Sequence, residues 1–447
     1  MLLIYVPRLT NRIGYTLNVI FRHILKTDYE ITDDTVTYKE YGEPKLCYAQ
    51  RDLGGGAFIR ENELMTKTTI EEQNPKPFTH NNIPALFPTY GNVADLPYDP
   101  ISAAFYCLSR YEEYLPHFAD KHGRFPATES LAYKNNFLEL PVVDMWATEI
   151  ANAVKAHFPT YSTPNRNFDY EDTFDIDAAY CYKHKGMMRT IGGALRDTFI
   201  ERNQEAVRKR FAVVFNRQKD PFDTFDFIID EHRQHPGIRL KFFPLMADYN
   251  VNDKSISYQN SEFQQLLKEL CDNAKMGLHS SYASGSNPKL VETESKRLEN
   301  ILHRKTVRNR NHFLLLKMPS TYNTLIDTDI LHDYTMGFAD RPGFRAGTGT
   351  PFPFFNLETD CETPLTVHPF AVMDSTLYYY MKLSASEAET VYRRIIDTTH
   401  NVGGTFSALW HNQSLSNMFG WEGWADLYSS ILDYAYTLKN KNKPYIQ

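Results

Sequence analysis

Cysteine is scarce in this 447-residue sequence: the five present (Cys47, Cys107, Cys181, Cys271 and Cys361) are widely spaced and form no C-x-x-C pair. That excludes a disulfide framework and a thiolate metal centre, and it suits a reducing compartment. Positive charge is not in surplus either. The 48 Lys and Arg stand against 55 Asp and Glu, a net charge of −7, which supplies no broad basic field and excludes nucleic acid as an expected partner. No apolar stretch approaches the roughly 18 uninterrupted residues of a membrane-spanning helix, and internal repeats and low-complexity tracts are missing. The run from Met1 to Pro7 has no basic start before its short apolar stretch and no small-residue cleavage site after it. It reads as a first strand, and the chain is expected in the cytoplasm. Aromatic residues, by contrast, are plentiful, with 29 Tyr and 29 Phe. Most are expected in the core or half-buried, not as a sugar-stacking surface.

The chain has two textures. Leu2 to Val6 reads as a strand and Thr10 to Leu25 as a helix, from the spacing of Ile13, Leu17, Ile20, Phe21 and Ile24. Gly54-Gly55-Gly56 marks a turn and, without a following Lys-Ser/Thr, is a weak phosphate-loop signal. Helical patterning returns over Pro100 to Leu115 and Val142 to Phe158, and the polar segment Pro159 to Asn167 sets the expected boundary between an accessory α/β domain, 1–165, and a second domain, 166–447. In the second, strand candidates lie at Asp172 to Asp177, Ile238 to Leu245, Met276 to His279, Val307 to Leu315, Asp333 to Gly337, Leu365 to Val372 and Thr405 to Trp410. Helices are expected at Ser261 to Ala274, Pro288 to His303 and Ser384 to Thr398. Such alternation predicts a parallel α/β architecture. Seven strands fit a barrel lacking one βα unit, and the hydrophobic period alone leaves an open doubly wound sheet equally available. Gly193 to Lys219, with Arg202, Arg208, Lys209, Arg210 and Arg217, reads as a solvated helix face.

In parallel α/β folds, reactive side chains gather at the carboxyl ends of the strands. The first of these strands ends Thr173-Phe174-Asp175-Ile176-Asp177, and the two-residue period sends Asp175 and Asp177 to one face. Close carboxylates repel unless a cation or a shared proton intervenes, so the pair suits one metal ligand and one general base, or else a surface cap. Gly277-Leu278-His279-Ser280-Ser281 presents an imidazole at a strand end, as a metal ligand or a core histidine. Arg310 and His312 share a face, either to orient the base and bind metal or as an ion-pair network, and His411 closes the last strand as a candidate general acid.

Together these segments resemble, in order, the motifs of NodB-like polysaccharide deacetylases, carbohydrate esterase family four, over roughly residues 168 to 420. Ser109 to Tyr114 and Asp120 to Phe125 resemble signatures of a branch carrying an extra N-terminal domain. The resemblance implies a distorted (β/α)7 barrel that uses a divalent metal, commonly Zn²⁺ with Co²⁺ or Ni²⁺ as alternatives, to remove N-acetyl groups from amino sugars. By position, Asp175 is similar to the catalytic base, Asp177 and His279 to metal ligands, Arg310 to the arginine tethering the base, Asp333 to the acidic residue supporting the acid, and His411 to the general acid.

One departure stands out. Where the family has a second His or a Ser four residues after the first His, this chain has Ala283, so His312 or water completes the shell, or no metal binds. The stretch Gly337 to Thr348 resembles the same branch and is placed at the substrate cleft, with Arg345 contacting an anionic or hydroxyl-rich group or forming an ordinary turn salt bridge. Trp410 and Asn412, flanking His411, are taken as further substrate contacts. Glu112, Glu113 and the Asp120 to Arg124 run either cover one side of the barrel mouth or, as the favoured reading, are charged helix ends and loops, and Trp421 and Trp424 read as helix packing. The expected activity is metal-assisted deacetylation of a carbohydrate substrate. The alternatives are a glycan-binding or assembly protein on the same barrel and a hydrolase of another small-molecule C–N bond.

Overall fold

Leu2–Tyr5 (β1) is buried on both faces: Leu2 and Ile4 enter the main apolar cluster, while Leu3 and Tyr5 enter a second one with Tyr38 and Phe58. Such two-sided burial belongs to a parallel sheet. Here the order is β2 (Tyr29–Thr32), β1, β3 (Lys45–Ala49), β4 (Ala57–Arg60), all parallel. A hairpin, β5 (Phe78–His80) with β6 (Ile83–Ala85), follows. The helix Asn11–Leu17 starts where the Thr10 hydroxyl accepts from the Ile13 amide and runs on as a π-helical segment, Asn18–Ile24. Pro100–Leu108 starts on the Asp99 cap with Pro in its first turn, and Val142–His157 packs beside it. The computed structural model describes residues 1–91, 93–184 and 204–441. The expected helix face from Gly193 therefore lies outside the described residues as far as position 203, Arg202 included. In the described part, Gln204–Val214, Arg210 is buried against the Tyr182 ring at 4.7 Å and is not a solvated position.

The second half is a mixed α/β fold with parallel sheets. Its centre is β7 (Asp169–Ile176), paired with β16 (Thr405–His411) on one side and β8 (Arg239–Pro244) on the other. Next to β8 lies β9 (Lys275–Met276), continued after Gly277 by β10 (Leu278–Ser280). Gly277 is obligatory there, because a Cβ would stand 2.5 Å from the Phe243 ring. β10 pairs with β11 (Arg308–Asn311), then come β12 (His332–Asp333), β14 (Cys361–Val367) and, antiparallel, β13 (Phe352–Asn356). A single parallel bridge, Leu245 to His279, joins the two five-stranded sheets. The far edge of the first is β15 (Val372–Met373), beside β16.

Four expected strands are redrawn. Val307 to Leu315 ends as a strand at Asn311, where a tight turn over His312–Leu314 begins, and Met276 to His279 is broken at Gly277. Asp333 to Gly337 stops at Asp333, whose carboxylate accepts from the Thr335 amide and hydroxyl and turns the chain. Leu365 to Val372 is two strands, β14 and β15, interrupted at His368-Pro369, where proline offers no N–H to a ladder. The β13 hairpin strand was not anticipated. The helices Ser261–Asn273, Lys289–Leu302 and Ala385–Asn401 lie where the periodicity places them. No helix of the described residues is long and apolar enough to cross a membrane.

The main apolar cluster contains residues of both halves, from Leu2 and Phe105 to Phe174 and Trp410. Tyr15 and Phe105 pack on Phe355 at 4.9 and 5.2 Å. Charge crosses as well: buried Arg12 pairs with Asp360 at 2.8 Å. Glu113 lies between two guanidiniums, at 2.7 Å from Arg110 and 2.7 Å from Arg345, and Arg110 also donates to the Arg345 carbonyl. Glu113 is thus a buried ion-pair centre and not the charged helix end expected. Burial works against its ionisation, but Arg345 and Arg110 outweigh burial and hold its carboxyl at about 2. A depressed acid pKa stabilises the fold above the unfolded value and loses that contribution as pH falls toward the folded one. Glu113→Gln should therefore cost about 3 kcal/mol in urea unfolding near pH 7, and the gap to the native chain should shrink as pH drops from about 4.5 toward 2.

Candidate metal centre

The register of the parallel strands assembles the site. His411 pairs with Asp175 across β16 and β7, and His279 pairs with Arg310 across β10 and β11. Paired residues on neighbouring strands point to the same side, so these four side chains share one interior, with Asp177 just past the end of β7 and His312 just past β11. Asp175 is buried and its Oδ1 accepts from Arg310 Nη1 at 2.8 Å. Arg310 is wholly buried. Its Nη2 donates to Thr173 Oγ1 at 2.8 Å, its Nε donates to the Tyr334 carbonyl at 2.9 Å, and its plane lies 4.6 Å from the Phe243 ring centroid. With each of its three nitrogens donating a bond, the guanidinium is held against Asp175.

Three imidazoles converge on Asp177. His279 Nε2 is 3.2 Å from Asp177 Oδ1 and 3.6 Å from Asp175 Oδ2, while His312 Nε2 and His411 Nε2 are 3.6 and 3.8 Å from Asp177 Oδ2. The opposite nitrogen of each ring is held by an acceptor: the Arg310 carbonyl takes His279 Nδ1 at 2.9 Å, Asp253 takes His312 Nδ1 at 2.8 Å, and Asp374 takes His411 Nδ1 at 2.8 Å. A carbonyl only accepts, so Nδ1 of His279 carries a proton and Nε2 is the nitrogen turned to the carboxylate. Asp177 Oδ1, beside it, is buried without a hydrogen-bond partner. That juxtaposition calls for a cation. Asp177, His279 and His312 each offer one ligand atom, all within 4.8 Å of one another, and an Asp/His/His set leaving one position open is the donor chemistry of a catalytic zinc-type ion. The residues present therefore fit a divalent metal.

Without the ion, protons supply part of the positive charge. Burial opposes protonation of His312, but Asp177 and Asp253 raise it to about 9; burial likewise opposes His411, which Asp374, Asp177 and Asp175 raise to about 10. Burial resists ionisation of Asp177, yet His312, His279 and His411 hold its carboxyl well below the usual range.

The loop carrying Ala283 supplies no ligand. Instead the amides of Tyr282 and Ala283 donate to Asp253, at 2.7 and 3.3 Å, and Asp253 orients His312. His312 thus stands where a third protein ligand is needed.

Four other expected site residues are elsewhere. Asp333 does not touch His411: it pairs in register with Asn309, on the opposite strand face from Arg310, and accepts from Tyr322 at 3.0 Å and from Thr335. The residue supporting His411 is Asp374, whose Oδ2 also takes the His411 amide at 2.7 Å. Trp410 pairs with Phe174 and points outward, fully buried and stacked on Tyr392 at 5.0 Å. Asn412 is buried and donates to the carbonyls of Ala178 and Phe222 at 3.1 and 2.8 Å. Arg345 is neither in the cleft nor on a surface turn, its guanidinium being taken by Glu113 and the Gly337 carbonyl. Asp374 had a signal, a carboxylate at a strand end, hidden by joining β14 and β15. Asp253 had none: it sits in a loop far from any strand.

A family model describing a family of unknown function (DUF7033) matches residues 2–159. No curated protein matches. Among solved structures, a protein assigned as a polysaccharide deacetylase from Mycobacterium smegmatis is 11% identical over 64% of this chain and 89% of its own, with a TM-score of 0.41. The polysaccharide deacetylase from Bacillus cereus is 12% identical over 61% of this chain and 86% of its own, with a TM-score of 0.29. The 4-alpha-glucanotransferase from Thermococcus litoralis is 10% identical over 63% of this chain and 39% of its own, with a TM-score of 0.36. All three superpose with TM-scores below 0.5, so the functional reading rests on the side-chain geometry.

Calorimetric titration of the chelator-treated chain with Zn²⁺ should show about one equivalent bound with proton release, since His312 must shed its proton to ligate. Apparent affinity should fall as pH is lowered. Asp253→Asn should weaken binding about 10–100-fold, and Asp177→Asn or His312→Ala more than that.

Proposed function

We propose that this chain is a metal-dependent hydrolase that removes N-acetyl groups from an amino sugar or glycan. The observation that carries the reading is the Asp177 carboxylate, whose buried Oδ1 has no donor and faces His279 Nε2 while its Oδ2 faces the Nε2 atoms of His312 and His411, beside a second carboxylate, Asp175, locked by Arg310. On this reading Asp177, His279 and His312 hold a divalent ion, which supplies a Lewis acid for the acetyl carbonyl and lowers the pKa of water. Asp175 Oδ1 is committed to Arg310, leaving Oδ2 to accept a proton from the attacking water. His411, with Nδ1 fixed on Asp374, whose charge acts against burial to raise its pKa, is oriented to present an Nε2 proton. As the C–N bond breaks, His411 passes that proton to the departing amine, so acetate and a free amino sugar result.

The strand order β15-β16-β7-β8-β9/β10-β11-β12-β14, in which β14 and β15 together stand for one expected strand, supports a distorted seven-stranded barrel around this site, with residues 1–165 as an accessory α/β unit. The order of the Asp175/Asp177, His279, Arg310/His312 and His411 segments, resembling that of NodB-like deacetylases, supports the same reaction class. Five cysteines with no disulfide among the described residues suit a cytoplasmic setting, where acetylated amino-sugar precursors are the accessible substrates.

Acetate release from N-acetylated glycan fragments is the test. The zinc-loaded chain should release it; Asp175→Asn should abolish release while retaining the metal, and His411→Gln should slow it by about 10²–10⁴-fold. A zinc-loaded chain inert toward every acetylated sugar, yet binding one tightly, would favour the glycan-binding alternative.

A further inference from the structure

The turn that carries His312 into the site runs against backbone preference. Phe313 and Leu314, directly after it, both have left-handed φ, 58° and 55°, a conformation that residues with side chains rarely adopt unless their surroundings impose it. The surroundings come from the other half of the chain. Arg124 is 6% exposed, and its Nη1 donates to the Phe313 carbonyl at 2.7 Å. Its Nη2 donates to the Tyr380 hydroxyl at 3.0 Å and its Nε to Asp120 at 2.8 Å.

Each partner has structural meaning. Asp120 closes a tight turn by accepting from the amides of His122 and Arg124, at 2.8 and 3.0 Å, with Gly123 at φ 79°. This turn delivers the guanidinium on a rigid base and lays the His122 ring edge-on to Phe313 and Tyr282, at 5.0 and 5.8 Å. Tyr380 ends the π-helical segment Thr376–Tyr380, which begins two residues after Asp374, the residue that holds His411. Phe313 follows β11 in one sheet, whereas Asp374 follows β15 in the other, and no strand pairing joins β14 to β15 among the described residues. One guanidinium therefore spans the turn that follows His312 and the segment that follows Asp374, the residue holding His411.

We propose that Arg124 is a positioning residue for the metal centre: it clamps the left-handed Phe313 carbonyl to the Tyr380 hydroxyl, so that His312 is held facing Asp177. The Asp120 to Arg124 run, which reads in sequence as an ordinary charged loop, is then a working part of the site. This role rests on the metal-centre reading, and its test separates the two. Titration with Co²⁺ reports affinity and, through the visible d–d bands, ligand geometry. Arg124→Ala should bind Co²⁺ about 10–100-fold more weakly with altered bands, while near-UV circular dichroism stays native. In the metal-free chain the amides of Phe313 to Leu315 should exchange faster than in the native protein, a readout that needs no ion. Tyr380→Phe, which removes one arm of the clamp and keeps the ring, should shift the bands in the same direction by less and covers a failure of Arg124→Ala to fold. Native affinity, bands and exchange rates in both variants overturn the clamp. A native chain that takes up no Co²⁺ or Zn²⁺ while Arg124→Ala still speeds exchange overturns the metal centre and leaves the clamp as a backbone device alone.

Discussion

The site depends on one juxtaposition, a half-buried carboxylate toward which three imidazoles turn the same nitrogen. Asp177 Oδ1 has no donor, and His279 Nε2 stands 3.2 Å away with its own proton committed to the Arg310 carbonyl. Buried oxygen and nitrogen lone pairs are tolerated at that distance when positive charge lies between them or close by. Protons on His312 and His411 provide some of it, and a divalent ion provides it in full. Around this point the protein arranges acceptors behind each ring, Asp253, Asp374 and a carbonyl, so that all three imidazoles turn the same nitrogen inward.

The arrangement separates two carboxylates that sit two residues apart. Asp175 is neutralised by a guanidinium whose other donors are tied to Thr173 and Tyr334, whereas Asp177 is left to the imidazoles. The two share one face of the strand end, and a single side chain, Arg310, reaching across from β11, distinguishes them.

The N-terminal half takes part in that architecture. Its helices share the main apolar cluster with the second half, Glu113 holds Arg345 beneath the Gly337 to Thr348 stretch, and Arg124 reaches the turn behind His312. Motifs that look like surface charge in a one-dimensional reading, Arg110 to Glu113 and Asp120 to Arg124, are buried or half-buried local ion pairs that also reach Arg345, the Phe313 carbonyl and the Tyr380 hydroxyl.

By itself, the sequence determined the alternation of strands and helices and the strand-end positions of Asp175, Asp177, His279, Arg310, His312 and His411, because side-chain period and apolar spacing are local properties of the chain. Tertiary structure alone decided which acceptor stands behind each imidazole. Asp374 was masked by a proline break that divides one expected strand into two, and Asp253 lies in a loop whose course no periodicity describes. Register between strands set the fates of Trp410 and Asp333: each is one residue out of phase with the interior, so pairing with Phe174 and Asn309 turned them away from the site. Arg345 and Asn412 were drawn off by partners from other segments, Glu113 and the Ala178 and Phe222 carbonyls. A buried polar group takes whichever partner the fold brings within about 3 Å, and that choice is made between residues far apart in the chain.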